Sequence, residues 1–143
     1  MLLAFVKVEA QETGSKQGHV DWHFSSVKQS GSAWKLLFTA VIDRGWHIYA
    51  QATPEGGPMP VSFRFTKEDG YRLSGEIKES GVLRKGYDNV FMTDVFWYEG
   101  TVIFSQVVKA TSKGVVRGEI EYVVCSEEMC IPGSIQFSLD VGN

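Results

Sequence analysis

Both cysteines of the chain stand in one short stretch, Val123-Val124-Cys125-Ser126-Glu127-Glu128-Met129-Cys130-Ile131-Pro132, with four residues between them. That spacing lets the two ends of a turn come within the Cα separation a disulfide needs. Three chemistries are open to such a pair. As a structural staple its ring is small, so loop closure contributes only about 2 kcal/mol. As half of a zinc site it needs two further ligands, and His19, His23 and His47 are the only histidines. The His19–His23 spacing suits a helix face, but this segment alternates like a strand, where such positions lie about 13 Å apart. One thioether, Met129, adds little to a soft-metal site. As a redox pair it needs an accessible sulfur and a neighbour able to resolve a mixed disulfide. Glu127 and Glu128 lie between the thiols and no Lys, Arg or His is close in sequence. Negative neighbours disfavour thiolate, which suits a carrier that reacts when a partner docks better than a broadly reactive reductase.

The elements that position this stretch are read from a period of two. Val20, Trp22 and Phe24 share one face of a strand, as do Trp34, Leu36, Phe38, Ala40 and Ile42 of the next. Trp46 to Ala50 is extended, Thr53 to Pro60 is a Pro/Gly loop, and Val61, Phe63 and Phe65 alternate again. Tyr71 to Ser80 reads as a polar edge strand, Gly81 to Asn89 as irregular, and Val90 to Tyr98 as aromatic and extended. Strands through Val102 and Phe104, through Val116 to Val124, and through Ile135 to Val141 complete about nine short strands with no convincing helix. Each strand shows one apolar face, which predicts an all-β, two-sheet antiparallel sandwich. Tyr122 and Val124 take the apolar side of their strand. Cys125 is therefore expected to face the other way, with Pro132 and Gly133 resetting the phase and leaving Cys130 in a turn. Neither cysteine reads as core.

At 143 residues the chain is long enough for one domain with a substantial core. A net charge of −3 offers no basic face for nucleic acid, and no apolar run is long enough to cross a membrane as a helix. Residues 1–18 read as a lead-in and 19–143 as a single domain. Within the lead-in, Met1 to Val6 is apolar and Val8-Glu9-Ala10 has the small-residue spacing of a signal-peptidase site, although Lys7 interrupts the run. Together with the cysteine pair this points to export.

The ending Gly118-x-Ile120-x-Tyr122-Val123-Val124-Cys125-x4-Cys130-x-Pro132 resembles the N-terminal periplasmic domain of the thiol:disulfide interchange protein DsbD, the "disulfide bond corrector" family. Gly45-Trp46-His47-Ile48-Tyr49-Ala50-Gln51, and Tyr87-Asp88-Asn89-Val90-Phe91 leading to Tyr98-Glu99-Gly100, agree with it. The resemblance implies an immunoglobulin-like sandwich in the periplasm, whose cysteines carry electrons without cofactor or metal. It implies thioredoxin-like proteins and a membrane-embedded thiol reductase as partners, with periplasmic acceptors such as disulfide isomerases and cytochrome c maturation factors. It also implies that Cys125 and Cys130 are the active pair, that Asp88, Asn89, Val90 and Phe91 form a cap with Phe91 as the shield, and that Tyr49 is an aromatic beside the site. Glu127, Glu128 and Pro132 flank it. The cysteine spacing is one residue shorter than in the best-known members, and Pro132-Gly133 stands where two prolines often do.

Two other functions compete with the redox carrier. One is a non-catalytic immunoglobulin-like binding or adhesion module with a structural disulfide, and the other is a metal chaperone. His47 reads as a strand residue with a hydrogen bond rather than a base, and Trp46 and Trp97 are left between core and site.

Overall fold

A computed structural model describes residues 13–142. The apolar start and the signal-like spacing noted above lie outside the described residues. Among these, eleven strands follow one another without a helix: β1 (Thr13–Gln17), β2 (Val20–Lys28), β3 (Ala33–Ile42), β4 (His47–Tyr49), β5 (Ser62–Phe65), β6 (Tyr71–Ser80), β7 (Arg84–Asp88), β8 (Thr93–Tyr98), β9 (Thr101–Ala110), β10 (Gly114–Cys125) and β11 (Cys130–Val141). They form two antiparallel sheets. One has the order β1-β2-β3-β9-β6; the other runs β11-β10-β4-β8-β7, with β5 also paired to β10.

Alternation explains how the sheets face each other. Trp22, Phe24, Leu36, Phe38 and Phe104 of the first sheet are buried against Ile120, Tyr122, Ile135 and Phe137 of the second. Aromatic rings bridge the layers, with Phe38 and Phe137 centroids 4.7 Å apart and Trp22 and Tyr122 5.4 Å apart. Truncating one such ring typically costs about 3–5 kcal/mol. This interlayer packing is the main source of stability, and it involves neither cysteine.

Four local expectations are corrected. Thr13–Gln17, read as lead-in, pairs along β2, and Arg84–Asp88, read as irregular, pairs along β8. Val90 to Met92 belong to a turn, so β8 starts at Thr93. Pro132 and Gly133 do not reset the phase. The β10–β11 register runs without a break from Gly114↔Val141 to Cys125↔Cys130. Proline is tolerated there because β11 is an edge strand, whose outer amides need no ladder partner. Gly133 lies under the Tyr122 ring, so a Cβ would meet the ring at 2.3 Å.

Gly118 is the other close approach in this hairpin. A Cβ there would stand 2.2 Å from the Arg64 carbonyl oxygen and 2.5 Å from the Phe137 ring. The backbone cannot give way without breaking the β5–β10 ladder. Gly118→Ala is therefore expected to destabilise the domain by about 1–3 kcal/mol, seen as a lower Tm in thermal unfolding.

Candidate redox site

Cys125 and Cys130 form a disulfide, with Cα atoms 4.1 Å apart. They are the last directly opposed pair of the β10–β11 hairpin, so Cys130 opens β11 and is not left in the turn. Only Ser126 to Met129 turn the chain. The Ser126 amide donates to the Met129 carbonyl at 2.8 Å, and the Ser126 hydroxyl accepts from the Glu128 and Met129 amides, each at 3.2 Å. Because the turn supplies its own hydrogen bonds, the ladder continues up to the cysteines. Ser126–Met129 is a hydrogen-bonded pair, so the next pair along is a narrow one, which brings its side chains close.

Strand parity sets the direction of the sulfurs. Val124 is buried in the principal core and Ile131 packs against it, so Cys125 and Cys130 face the outer side of their sheet. Topology makes the two unequal. β10 is flanked by β11 and β4, while β11 is an edge. Cys125 accordingly lies under a small outer cluster with Tyr49 and Val95, joined by Trp97 and Val123, and is only 1% exposed. Cys130 is exposed. The expectation that neither cysteine is core thus holds for the interlayer core but needs correction for Cys125, which β4 and β8 cover from the outside.

His47 and Tyr49 bring chemistry to this cluster. In the β4–β10 register His47 is directly opposite Cys125, and Tyr49 is opposite Trp97 on β8. The His47 Nε2 and the Tyr49 hydroxyl are 3.1 Å apart, and the His47 ring lies 6.1 Å from that of Trp97. Burial holds the His47 pKa below the ordinary histidine value, partly opposed by the negative charge of Glu99. Burial also pushes the Tyr49 hydroxyl up, with the Asp88 carboxylate adding to the shift. At neutral pH, therefore, the histidine is uncharged and the phenol keeps its proton. Trp97 packs closely on β7, where a Cβ on Gly86 would stand 2.9 Å from its ring. The indole Nε1 donates to Glu99 at 3.3 Å, and the same carboxylate pairs with Arg84 Nε at 3.3 Å.

Asp88, Asn89, Val90 and Phe91 lie at the β7–β8 hairpin, Asp88 closing β7 and the other three in the turn. The Asp88 carboxylate accepts from the Val90 and Phe91 amides at 2.8 and 3.1 Å, which makes this an Asx turn. Val90 is 87% exposed, Phe91 45% and Met92 74%, an apolar tip open to solvent. The electrostatic reach from Asp88 to Tyr49 connects the base of this tip with the disulfide cluster. Glu127 and Glu128 are exposed in the cysteine turn, and Pro132 is exposed on the edge strand. His19 and His23 stand elsewhere: the first is 3.1 Å from Asp43 and stacks on Trp46, and the second pairs with Asp21 at 3.2 Å.

His47 is a strand residue with a hydrogen bond, as its sequence context indicates, but its place beside the disulfide was not read from the sequence. No cation or base is near the cysteines along the chain, but one is beside Cys125 across the sheet. The stretch around it read as extended, while the strand it adjoins, β10, could not be read locally.

The sequence matches the family model "Thiol:disulfide interchange protein DsbD, N-terminal" over residues 15–141. None of the curated proteins matches it. Among solved structures, the N-terminal periplasmic domain of ScsB from Proteus mirabilis superposes with a TM-score of 0.62 at 19% identity, covering 92% of this chain and 50% of that one. The chain thus spans half the length of that relative. The N-terminal domain of DsbD from Neisseria meningitidis, in its reduced form, gives 0.52 at 16% identity with 84% of each chain covered. The GAE domain of GGA2p from Saccharomyces cerevisiae gives 0.51 at 9%, covering 90% and 96%. The architecture is the immunoglobulin-like sandwich of the DsbD N-terminal domain. At these identities the likeness establishes the fold, and function has to be argued from the site.

The lowered His47 pKa has a consequence for stability. Between the ordinary value of 6.5 and the lower folded value, the unfolded chain binds the proton that the folded one refuses. The contribution of the neutral ring is complete above pH 6.5 and declines as the pH falls through that window. Urea unfolding of the oxidised domain at pH 7.5 and at pH 5 should show a loss of stability on acidification that is smaller in His47→Gln.

Proposed function

Because the chain belongs to the family of N-terminal domains of the thiol:disulfide interchange protein DsbD, we propose that it is an exported electron carrier working through Cys125 and Cys130. The observation that carries this is the inequality of the two sulfurs. One is exposed on an edge strand and the other is covered by β4 and β8. Exchange requires a sulfur that an incoming thiolate can reach in line, and a second that leaves and later returns to resolve the mixed disulfide. Cys130 takes the first role and Cys125 the second. Reduction proceeds when a donor thiolate bonds to Cys130 Sγ, the Cys125–Cys130 bond breaks and its electron pair stays on Cys125. A second donor thiol then releases Cys130.

The donors and acceptors in this reading are those the family resemblance implies, thioredoxin-like domains and a membrane-embedded thiol reductase in the periplasm. The β7–β8 turn acts as a cap in this scheme. Phe91 is the shield that the family resemblance implies, with the residue 45% exposed and Cys130 uncovered here; Asp88, Asn89 and Val90 shape the turn, and Tyr49 packs against Cys125. Glu127 and Glu128 keep the reduced thiols protonated until a partner docks. The exchange calls for neither metal nor cofactor, because two thiols and a partner disulfide balance the two electrons by themselves.

Cys125→Ser and Cys130→Ser should each abolish thiol transfer to a thioredoxin-like acceptor while lowering Tm by less than about 8 °C, given a six-residue ring and a chain of this size. Titration of the wild-type pair against a glutathione or dithiothreitol buffer should give a potential above about −300 mV. A lower potential with a large fall in Tm in both variants would instead mark the disulfide as a staple in a non-catalytic sandwich.

A further inference from the structure

Beyond the exchange chemistry proposed above, on which it rests, the β4–β10 register places a base beside the covered sulfur. We propose that His47 is the proton acceptor for Cys125 when that thiol resolves a mixed disulfide on Cys130. Directly opposed residues of an antiparallel pair have Cβ atoms about 4.5–5.5 Å apart, and His47 is directly opposite Cys125 on the outer face. A cysteine sulfur and an imidazole Nδ1 are each one or two bonds from Cβ, so they can meet across that gap. Nε2 is engaged with the Tyr49 hydroxyl at 3.1 Å. In the tautomer whose Nε2–H donates to the phenol oxygen, Nδ1 carries the free lone pair.

A buried thiol needs such help. Cys125 is 1% exposed, so water cannot readily take its proton, and a bare thiolate there would be poorly solvated. The groups facing His47 are few. Tyr49 shares its strand; Cys125 faces it from β10; Glu99, just past β8, lies within electrostatic range and is tied to Arg84 of β7. Asp88 acts on Tyr49, and Glu127 and Glu128 stand in the turn beyond Cys125. Glu99 stabilises an imidazolium once formed, while burial keeps the resting ring neutral and ready to accept. In the step itself the Cys125 proton passes to His47 Nδ1, and Cys125 Sγ attacks Cys130 Sγ. The intramolecular disulfide forms, the bond from Cys130 to the partner breaks, and the partner sulfur leaves with the electron pair. The domain is oxidised and the partner disulfide is reduced. The imidazolium then releases its proton to solvent.

Reduced protein mixed with excess Ellman's reagent tests this directly. A first, concentration-dependent release of thionitrobenzoate reports attack by Cys130. A second, concentration-independent release reports resolution by Cys125. His47→Gln should slow the second phase at pH 7 at least about tenfold, the lower range of general-base catalysis, and leave the first phase unaltered. The pH profile of the second phase should lose its low-pH inflection in the variant and follow thiol ionisation alone. Equal second-phase rates and profiles in wild type and variant would overturn the proposal. Should His47→Gln fail to fold, NMR titration of the wild-type His47 ring decides: its pKa should differ between the oxidised and reduced protein, and an identical value in both would overturn the assignment. Failure of the exchange chemistry has a different signature, a wild-type protein with no first phase.

Discussion

The register of the β10–β11 hairpin is the constraint on which the rest depends. Side chains alternate across a strand, so a slip of one residue would exchange the two faces of the whole element. Ile120, Tyr122, Val124, Ile135 and Phe137 must face the other sheet to build the interlayer core. Once they do, Cys125 and Cys130 have no choice but to face outward, opposite each other at the hairpin's end. The same packing that stabilises the sandwich therefore aims the sulfurs. Gly118 and Gly133 maintain this register by making room for Phe137 and Tyr122 over the backbone.

Sheet order then separates the surroundings of two chemically identical residues. A strand between neighbours has its outer face shaded by side chains from both, whereas an edge strand is shaded from one side. Cys125 lies under Tyr49 and Val95, while Cys130 meets solvent. Edge strands are usually a hazard because their unpaired backbone invites other chains. In the proposed function this edge is put to use, with Pro132 limiting strand addition and the exposed sulfur offered for a transient covalent contact.

Much of this was legible in the sequence, and the exceptions share a cause. The strand through Trp34, Leu36, Phe38, Ala40 and Ile42 was read by its alternation, as was the outward direction of Cys125. β1 and β7 escaped because they are edge strands with sequences such as Lys16-Gln17 and Arg84-Lys85-Gly86, whose pairing is fixed by neighbours and not by an apolar face. Pro132-Gly133 looked like a break because local propensity cannot tell an edge strand from a central one. The burial of Cys125 and the company of His47 were invisible for the same reason: both depend on β4 lying beside β10. The resemblance to the DsbD family pointed to the pair and to Tyr49, but the difference between the two sulfurs came from the topology.

The most direct test is to identify which sulfur a partner captures. A thioredoxin-like protein whose resolving cysteine has been replaced by serine should trap the oxidised domain as a stable mixed disulfide. Peptide mapping by mass spectrometry should find the bond at Cys130, with Cys125 a free thiol. A bond predominantly at Cys125, or no trapped complex with any such partner, would contradict the assignment of an exposed attacked sulfur and a covered resolving one.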